Sequence, residues 1–171
     1  NVPVVGMATA TDNCDADVTV VFVNEVRTNS GCADEYTLTR TWRATDNCGN
    51  SSTCSQVITV EDNTAPMITC PADVTVECDN LPLVGTATAT DNCDADVTIT
   101  YEGEVRTNGG CADEYTLTRT WRATDNCGNS STCSQTITVE DNTAPMITCP
   151  ADVTVECDNL PLVGTATATD T

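Results

Sequence analysis

The feature that most constrains this chain is a period. Cys14 and Cys93, Trp42 and Trp121, and Pro66 and Pro145 each stand 79 positions apart in a chain of 171 residues. Few positions change between copies. The clearest run is Val20-Val21-Phe22-Val23-Asn24 against Ile99-Thr100-Tyr101-Glu102-Gly103. Near-identical tandem copies make a quasi-one-dimensional object in which each module contacts chiefly its neighbours. The division that follows is a partial first repeat over 1–63, a complete repeat over 64–142, and the start of a third over 143–171. The first is expected to lack its leading strand and the third to reach only its first two strands. The sequence thus reads as a window on a longer array.

Cysteine usage sets the compartment. The chain has 12 cysteines, and the complete repeat holds six of them, an even number. Such density fits an oxidising, extracellular or cell-surface setting and a disulfide framework. Zinc sites favour Cys-x-x-Cys pairs and histidine; here there is no Cys-x-x-Cys and His is 0. Aromatic residues are only 4% of the chain, so each module has a thin core and needs covalent staples.

The formal charge is −20, and all six basic residues are Arg. A surface of that sign repels nucleic acid and anionic membranes and attracts divalent cations. No stretch reads as a membrane insertion. With neither His nor Lys, the common general bases are missing, and no catalytic set stands out, so we expect no enzyme.

Thr and Val at period two dominate, with no helical period, which predicts an all-β fold of many short strands. In the complete repeat the expected strand A runs over 67–70 and 73–78, broken at Pro71, because proline removes a ladder donor. Strand B is expected over 85–90, strand C over 97–101, a long strand over 115–123 and a last strand over 133–139. The stretch 102–110 reads as looser, with Asn108-Gly109-Gly110 as a turn signal. Asp125-Asn126-Cys127-Gly128-Asn129 reads as a tight turn. The long strand places Tyr115, Leu117, Arg119, Trp121 and Ala123 on one face, and Arg119 is the misfit there. Its stem is expected to snorkel, or a bulge to shift the register.

Pro-Met-Ile-Thr-Cys-Pro-Ala-Asp-Val-Thr-Val (66–76), Ala-Thr-Asp-Asn-Cys (89–93) and Ala-Thr-Asp-Asn-Cys-Gly-Asn-Ser-Ser-Thr-Cys (123–133) resemble hyalin-type repeats. The chain is also similar to the Cys-rich immunoglobulin-like tandem repeats of giant secreted surface proteins of Bacteroidetes, gliding-type adhesins among them. The resemblance covers essentially the whole chain and implies tandem immunoglobulin-like β-sandwiches. In that sandwich strands A and G are neighbours, which pairs Cys70 with Cys133. Simpler hyalin-type repeats resemble this chain in keeping mainly those two cysteines. The scheme then expects Cys78 with Cys111, Cys93 with Cys127 and, in the first repeat, Cys14 with Cys48. A local Cys127–Cys133 bridge is the rival.

The seam between copies is Glu61-Asp62-Asn63-Thr64-Ala65-Pro66, returning as Glu140-Asp141-Asn142-Thr143-Ala144-Pro145. In the sandwich these acids lie beside the turns 91–96 and 125–129. Carboxylates and amides converging from three segments suit Ca2+, which takes six to eight oxygen ligands in adaptable geometry. The candidate ligands are Glu61, Asp62, Asp91, Asp94, Asp96, Asp125 and Asn129. Their copies are Asp12, Asp15, Asp17, Asp46, Asn50, Glu140 and Asp141. Asp and Asn are equally ordinary turn formers, so the same residues also fit a reading without metal. Asn50-Ser51-Ser52 and Asn129-Ser130-Ser131 fit a glycosylation sequon.

The function expected is structural: an extracellular filament or adhesin stalk, rigidified by disulfides and inter-module Ca2+. Its partners are further copies of the repeat, joined by chain continuity or by strand donation. The alternative is an adhesive module that binds a surface glycan or receptor on its Thr-rich faces or its variable strand C.

Overall fold

The computed structural model describes residues 3–159 and 161–170; Asn1, Val2, Leu160 and Thr171, which fall in the first and third repeats drawn above, lie outside the described residues. All regular structure among the described residues is β. The first repeat forms a sheet of β1 (Thr19–Asn29), β2 (Tyr36–Thr45) and β3 (Ser51–Val60), in that order. Both pairings are antiparallel, and the β1 register slips between Phe22 and Asn24, where Val23 forms a bulge.

The complete repeat uses its leading strand twice. β4 (Met67–Thr69) pairs antiparallel with β6 (Thr88–Thr90). β5 (Val74–Glu77) pairs parallel with β9 (Ser130–Glu140), in a sheet of order β5-β9-β8-β7 with β8 (Tyr115–Thr124) and β7 (Thr98–Asn108). Strand A therefore changes sheets at Pro71, as its missing N–H suggests. Gly85 lies against that proline: a Cβ there would come within 2.9 Å of the Pro71 ring. The third repeat contributes the antiparallel pair β10 (Met146–Thr148) and β11 (Thr167–Thr169).

β7 continues through the stretch expected to be loose. It passes Gly103, whose φ of 122° is a conformation that side chains resist. Gly103 is the counterpart of Asn24, which follows the bulge in the first repeat. The irregular residue hides the alternation that would have marked one long strand.

Backbone contacts divide the chain into two compact units. One comprises Asn1–Thr69, Ala87–Tyr101 and Trp121–Cys133, and the other Cys70–Thr86, Glu102–Thr120 and Ser134–Thr171. In the first unit Trp42 and Trp121 are buried, each against a ring: Phe22 at 5.7 Å and Tyr101 at 5.4 Å. In the second, Leu117, Ile137 and Val139 form the core, flanked by Val76, Cys78 and Tyr115.

The misfit arginine is resolved without a break in the pattern. Arg119 is 5% exposed. Its Nε donates to Glu104 at 2.7 Å, and its two terminal nitrogens donate to the carbonyls of Leu83 and Pro82 at 3.0 and 2.9 Å. Arg40 repeats the arrangement with Glu25, Val4 and Pro3. The planar guanidinium offers a rigid fork of donors, so one side chain satisfies a carboxylate and two carbonyls. It clasps the loop before β6 to the sheet. Arg106 lies flat on Tyr115 at 3.6 Å, which covers the end of that face.

Replacing Arg119 with Leu should leave those acceptors without their donor and cost about 2–4 kcal/mol. Urea unfolding with the disulfides intact checks this; an unmoved midpoint would show that the clasp does not hold the fold.

Candidate functional site at the repeat seam

The turns at the seam are built by aspartates bonding to backbone amides. Asp91 Oδ1 accepts from Cys93 N at 2.8 Å and Asp94 N at 3.0 Å. Asp125 Oδ1 accepts from Cys127 N at 3.0 Å and Asn129 N at 2.8 Å, while its Oδ2 accepts from the Asn129 amide at 2.8 Å. Gly128, at φ 93°, lets the second turn close. Asp94 joins the two turns: its Oδ1 accepts from Asp96 N at 2.9 Å and its Oδ2 from Asn126 N at 2.9 Å.

The seam segment closes over these turns. The carbonyl of Asp62 accepts from Asn129 Nδ2 at 2.9 Å, and Ser131 Oγ donates to the carbonyl of buried Pro66. Asp62 is 3% exposed, and its Oδ1 accepts from Thr64 N at 3.2 Å. The outcome is a group of three carboxylates, Asp62, Asp91 and Asp125, with oxygens all within 4.8 Å of one another. Asp62 Oδ2 and Asp91 Oδ2 are buried and have no hydrogen-bond partner among the described residues.

Of the candidate ligands, the structure brings together Asp62, Asp91 and Asp125. Asp94 is occupied as the bracket between turns, and Asn129 as a donor to Asp62 and Asp125. That use of the Asn129 amide sets it against the sequon reading. Glu61 accepts from Asn63 at 3.2 Å, and Asp96 is in neither acidic group. In the first repeat Asp12, Asp15 and Asp46 make the same turn bonds, with Asp15 bridging to Asn47 N at 2.8 Å and Asp17 taking its amide bond to Asp15. Asp12, Asp46 and Asn50 line an open cleft there. Glu140 accepts from Asn142, and Asp141 from Thr143 N.

Burial pushes the Asp125 carboxyl up, but hydrogen bonds from the Asn129 side chain and from the backbone of Asn129, Cys127 and Gly128 outweigh it and hold it below 3.8. Asp46 is also held below 3.8, chiefly by the Asn50 side chain.

The disulfides correct part of the expected scheme. Cys70 and Cys133 are both disulfide-bonded. Cys127 is joined to Cys32 of the preceding repeat, with their Cα atoms 5.0 Å apart, and not to Cys93 or to Cys133. Cys14, Cys48, Cys93 and Cys111 are thiols, so Cys14 is not joined to Cys48, nor Cys78 to Cys111. The physical reason is the turn bonding: it brings Cys127 up to the first repeat, where Asn126 also donates to Asp34 at 2.6 Å. A second acidic group, Cys32, Glu35 and Cys127, is accounted for by this bridge. Among the described residues no helix is long and apolar enough to cross a membrane.

Residues 1–60 and 58–139 each match the HYR-like domain with four cysteines, and the chain belongs to that family. The second matched stretch holds six cysteines, two beyond the family's four. No curated protein matches the chain. Among solved structures it is similar to a protocadherin gammaB7 EC3-6 cis-dimer structure, at 16% identity and TM-score 0.36, over 83% of this chain and 46% of that one. The chain thus spans less than half the length of that structure's chain.

The lowered carboxyl of Asp46 gives a test of the turn chemistry. Its stabilising contribution is present above 3.8 and lost as pH falls through the lower folded value. Asn50→Ala should move the Asp46 titration up toward 3.8, as followed by carboxyl carbon NMR. An unshifted titration would mean that Asn50 does not hold the charge.

Proposed function

We propose that this chain is part of an extracellular structural array, a filament or adhesin stalk, whose seams bind Ca2+. The observation that carries the reading is Asp62: a carboxylate 3% exposed, with Oδ2 unpartnered, aimed into a group with Asp91 and Asp125. Three carboxylates so close repel one another unless a cation or protons intervene. Ca2+ prefers hard oxygen ligands and tolerates an irregular set completed by water. One ligand comes from the seam and two from the turns of the following repeat, so a bound ion would fix the angle at which repeats meet. Oxidised cysteines support the extracellular setting.

The first repeat holds the corresponding place as an open cleft. Its cleft at Asp12, Asp46 and Ser52 corresponds to the place where Asp62 and Pro66 of the seam lie over Asp91, Asp125 and Ser131. A leading strand from a neighbouring copy, in the same polypeptide or donated by another, would fill it.

Calcium titration by calorimetry, with thermal unfolding in parallel, tests the ion. Millimolar Ca2+ should raise the melting temperature by several degrees, on the order of the 1–3 kcal/mol that ligand linkage supplies at tens to hundreds of times Kd. Asp91→Asn should abolish both the heat and the shift. No heat and no shift for the parent protein would remove the ion from this reading.

A further inference from the structure

The turn signal Asn108-Gly109 plays no part in the seam, and it is the one Asn-Gly pair in the chain. Both residues are exposed, at the end of β7. An exposed asparagine amide followed by glycine is open to attack by the glycine's own backbone nitrogen, since no Cβ shields that nitrogen or restricts its approach. Arg106 Nε donates to Asn108 Oδ1 at 3.2 Å, the atom that takes negative charge when a nucleophile adds to the amide carbon. The guanidinium is itself fixed: it lies on the Tyr115 ring at 3.6 Å, and its Nη2 donates to the Ala112 carbonyl at 2.8 Å. A donor already held where charge develops lowers the barrier more than one recruited from water. Gly109 N donates to the Glu114 carbonyl at 2.8 Å, and opening of that bond frees the nitrogen to turn onto the side chain. The first repeat supplies an internal comparison. Arg27 lies on Tyr36 at 3.7 Å and donates to Asn29 Oδ1 at 3.0 Å and to the Ala33 carbonyl at 3.1 Å. Ser30 follows that asparagine, and its N donates to the Glu35 carbonyl at 3.0 Å. From Arg27 to Tyr36 and from Arg106 to Tyr115 the two repeats differ only at Ser30 and Gly109, the attacking residue.

We propose that Asn108-Gly109 is a self-modifying site, at which the second repeat converts its own asparagine to aspartyl and isoaspartyl products while Asn29 of the first repeat stays intact. Gly109 N gives up its proton to solvent and bonds to Asn108 Cγ, with the developing charge on Oδ1 held by Arg106. The Cγ–Nδ2 bond then breaks, and the nitrogen takes a proton and leaves as ammonia. The product is a five-membered imide between the two residues. Water opens it at either carbonyl. Opening at Cγ leaves aspartate in an unaltered main chain, and opening at the Asn108 main-chain carbonyl leaves isoaspartate, with the chain routed through Cβ and Cγ. Nothing is oxidised or reduced, and water is the one co-reactant. Both products add a negative charge beside Arg106. The isoaspartyl product also lengthens the main chain by one atom, next to the bond by which Gly109 N closes the loop on Glu114. The Ser30 side chain hinders the same ring closure in the first repeat, so two nearly identical loops have different chemical fates.

The test incubates the full chain, folded, in 18O-water at mildly alkaline pH, then reduces it, digests it with trypsin and follows peptides 107–119 and 28–40 by mass spectrometry. Peptide 107–119 should gain one 18O-labelled carboxylate and split into two isomers, one of them methylated by an isoaspartyl carboxyl methyltransferase. Peptide 28–40 should convert many-fold more slowly. Equal rates in the two peptides, or an intact Asn108 while other asparagines convert, would overturn the proposal. Ser30→Gly should raise conversion of 28–40 to the rate of 107–119, a gain that no loss of folding in the second repeat can imitate; no gain would show that the residue after the asparagine does not decide its fate. Arg106→Met separates chemistry from loop support. It should slow Asn108 several-fold in the folded chain and leave the rate in urea unchanged. If Arg106 only braced the loop, the folded variant would convert faster than the parent, and its role as the oxyanion donor would fall.

Discussion

The seam depends on carboxylates that hold backbone amides. Asp91 and Asp125 each accept from two or more donors within their turns, and Asp94 accepts one amide from each turn and so ties them together. Nothing else at the seam could take its place without them. The acidic group needs Asp91 and Asp125 brought to Asp62. The bridge to Cys32 needs Cys127 presented on a closed turn. Charge-assisted bonds of this kind are short and directional, and they let polar loops act as rigid parts. A module with few large side chains gains order at its ends from hydrogen bonds that a larger core would otherwise supply.

The strands and turns were largely legible in the sequence, because period-two alternation and turn residues act locally. Pro71 marked the break in strand A, and the face of Tyr115, Leu117, Arg119, Trp121 and Ala123 is the buried one. β7 is longer than the alternation predicts, because Gly103 interrupts the pattern without ending the strand. The partners of Arg119 left no mark at all, since two of them are main-chain carbonyls, which any residue offers. In retrospect Glu104, at a fixed spacing from Arg119 in both copies, was the visible half of the clasp.

The site was legible by residue type and not by role. Turn aspartates look alike in sequence, yet Asp94 spends both oxygens on amides while Asp91 keeps one unpartnered. Cys127 departs from the expected scheme because its bridge joins two repeats, where that scheme closes each repeat on itself. In a tandem array the nearest cysteine in space can belong to the copy before, and the even count per repeat cannot tell the two cases apart.

The sheet change at Pro71 bears on how such a chain carries tension. β5 runs parallel to β9, the strand that leaves the module, so a pull on both ends loads their ladder in shear, with all its hydrogen bonds sharing the load. A ladder loaded in this way has no end rung to open first: it holds until every rung gives together, where a hairpin pulled from its open end would unzip one pair at a time.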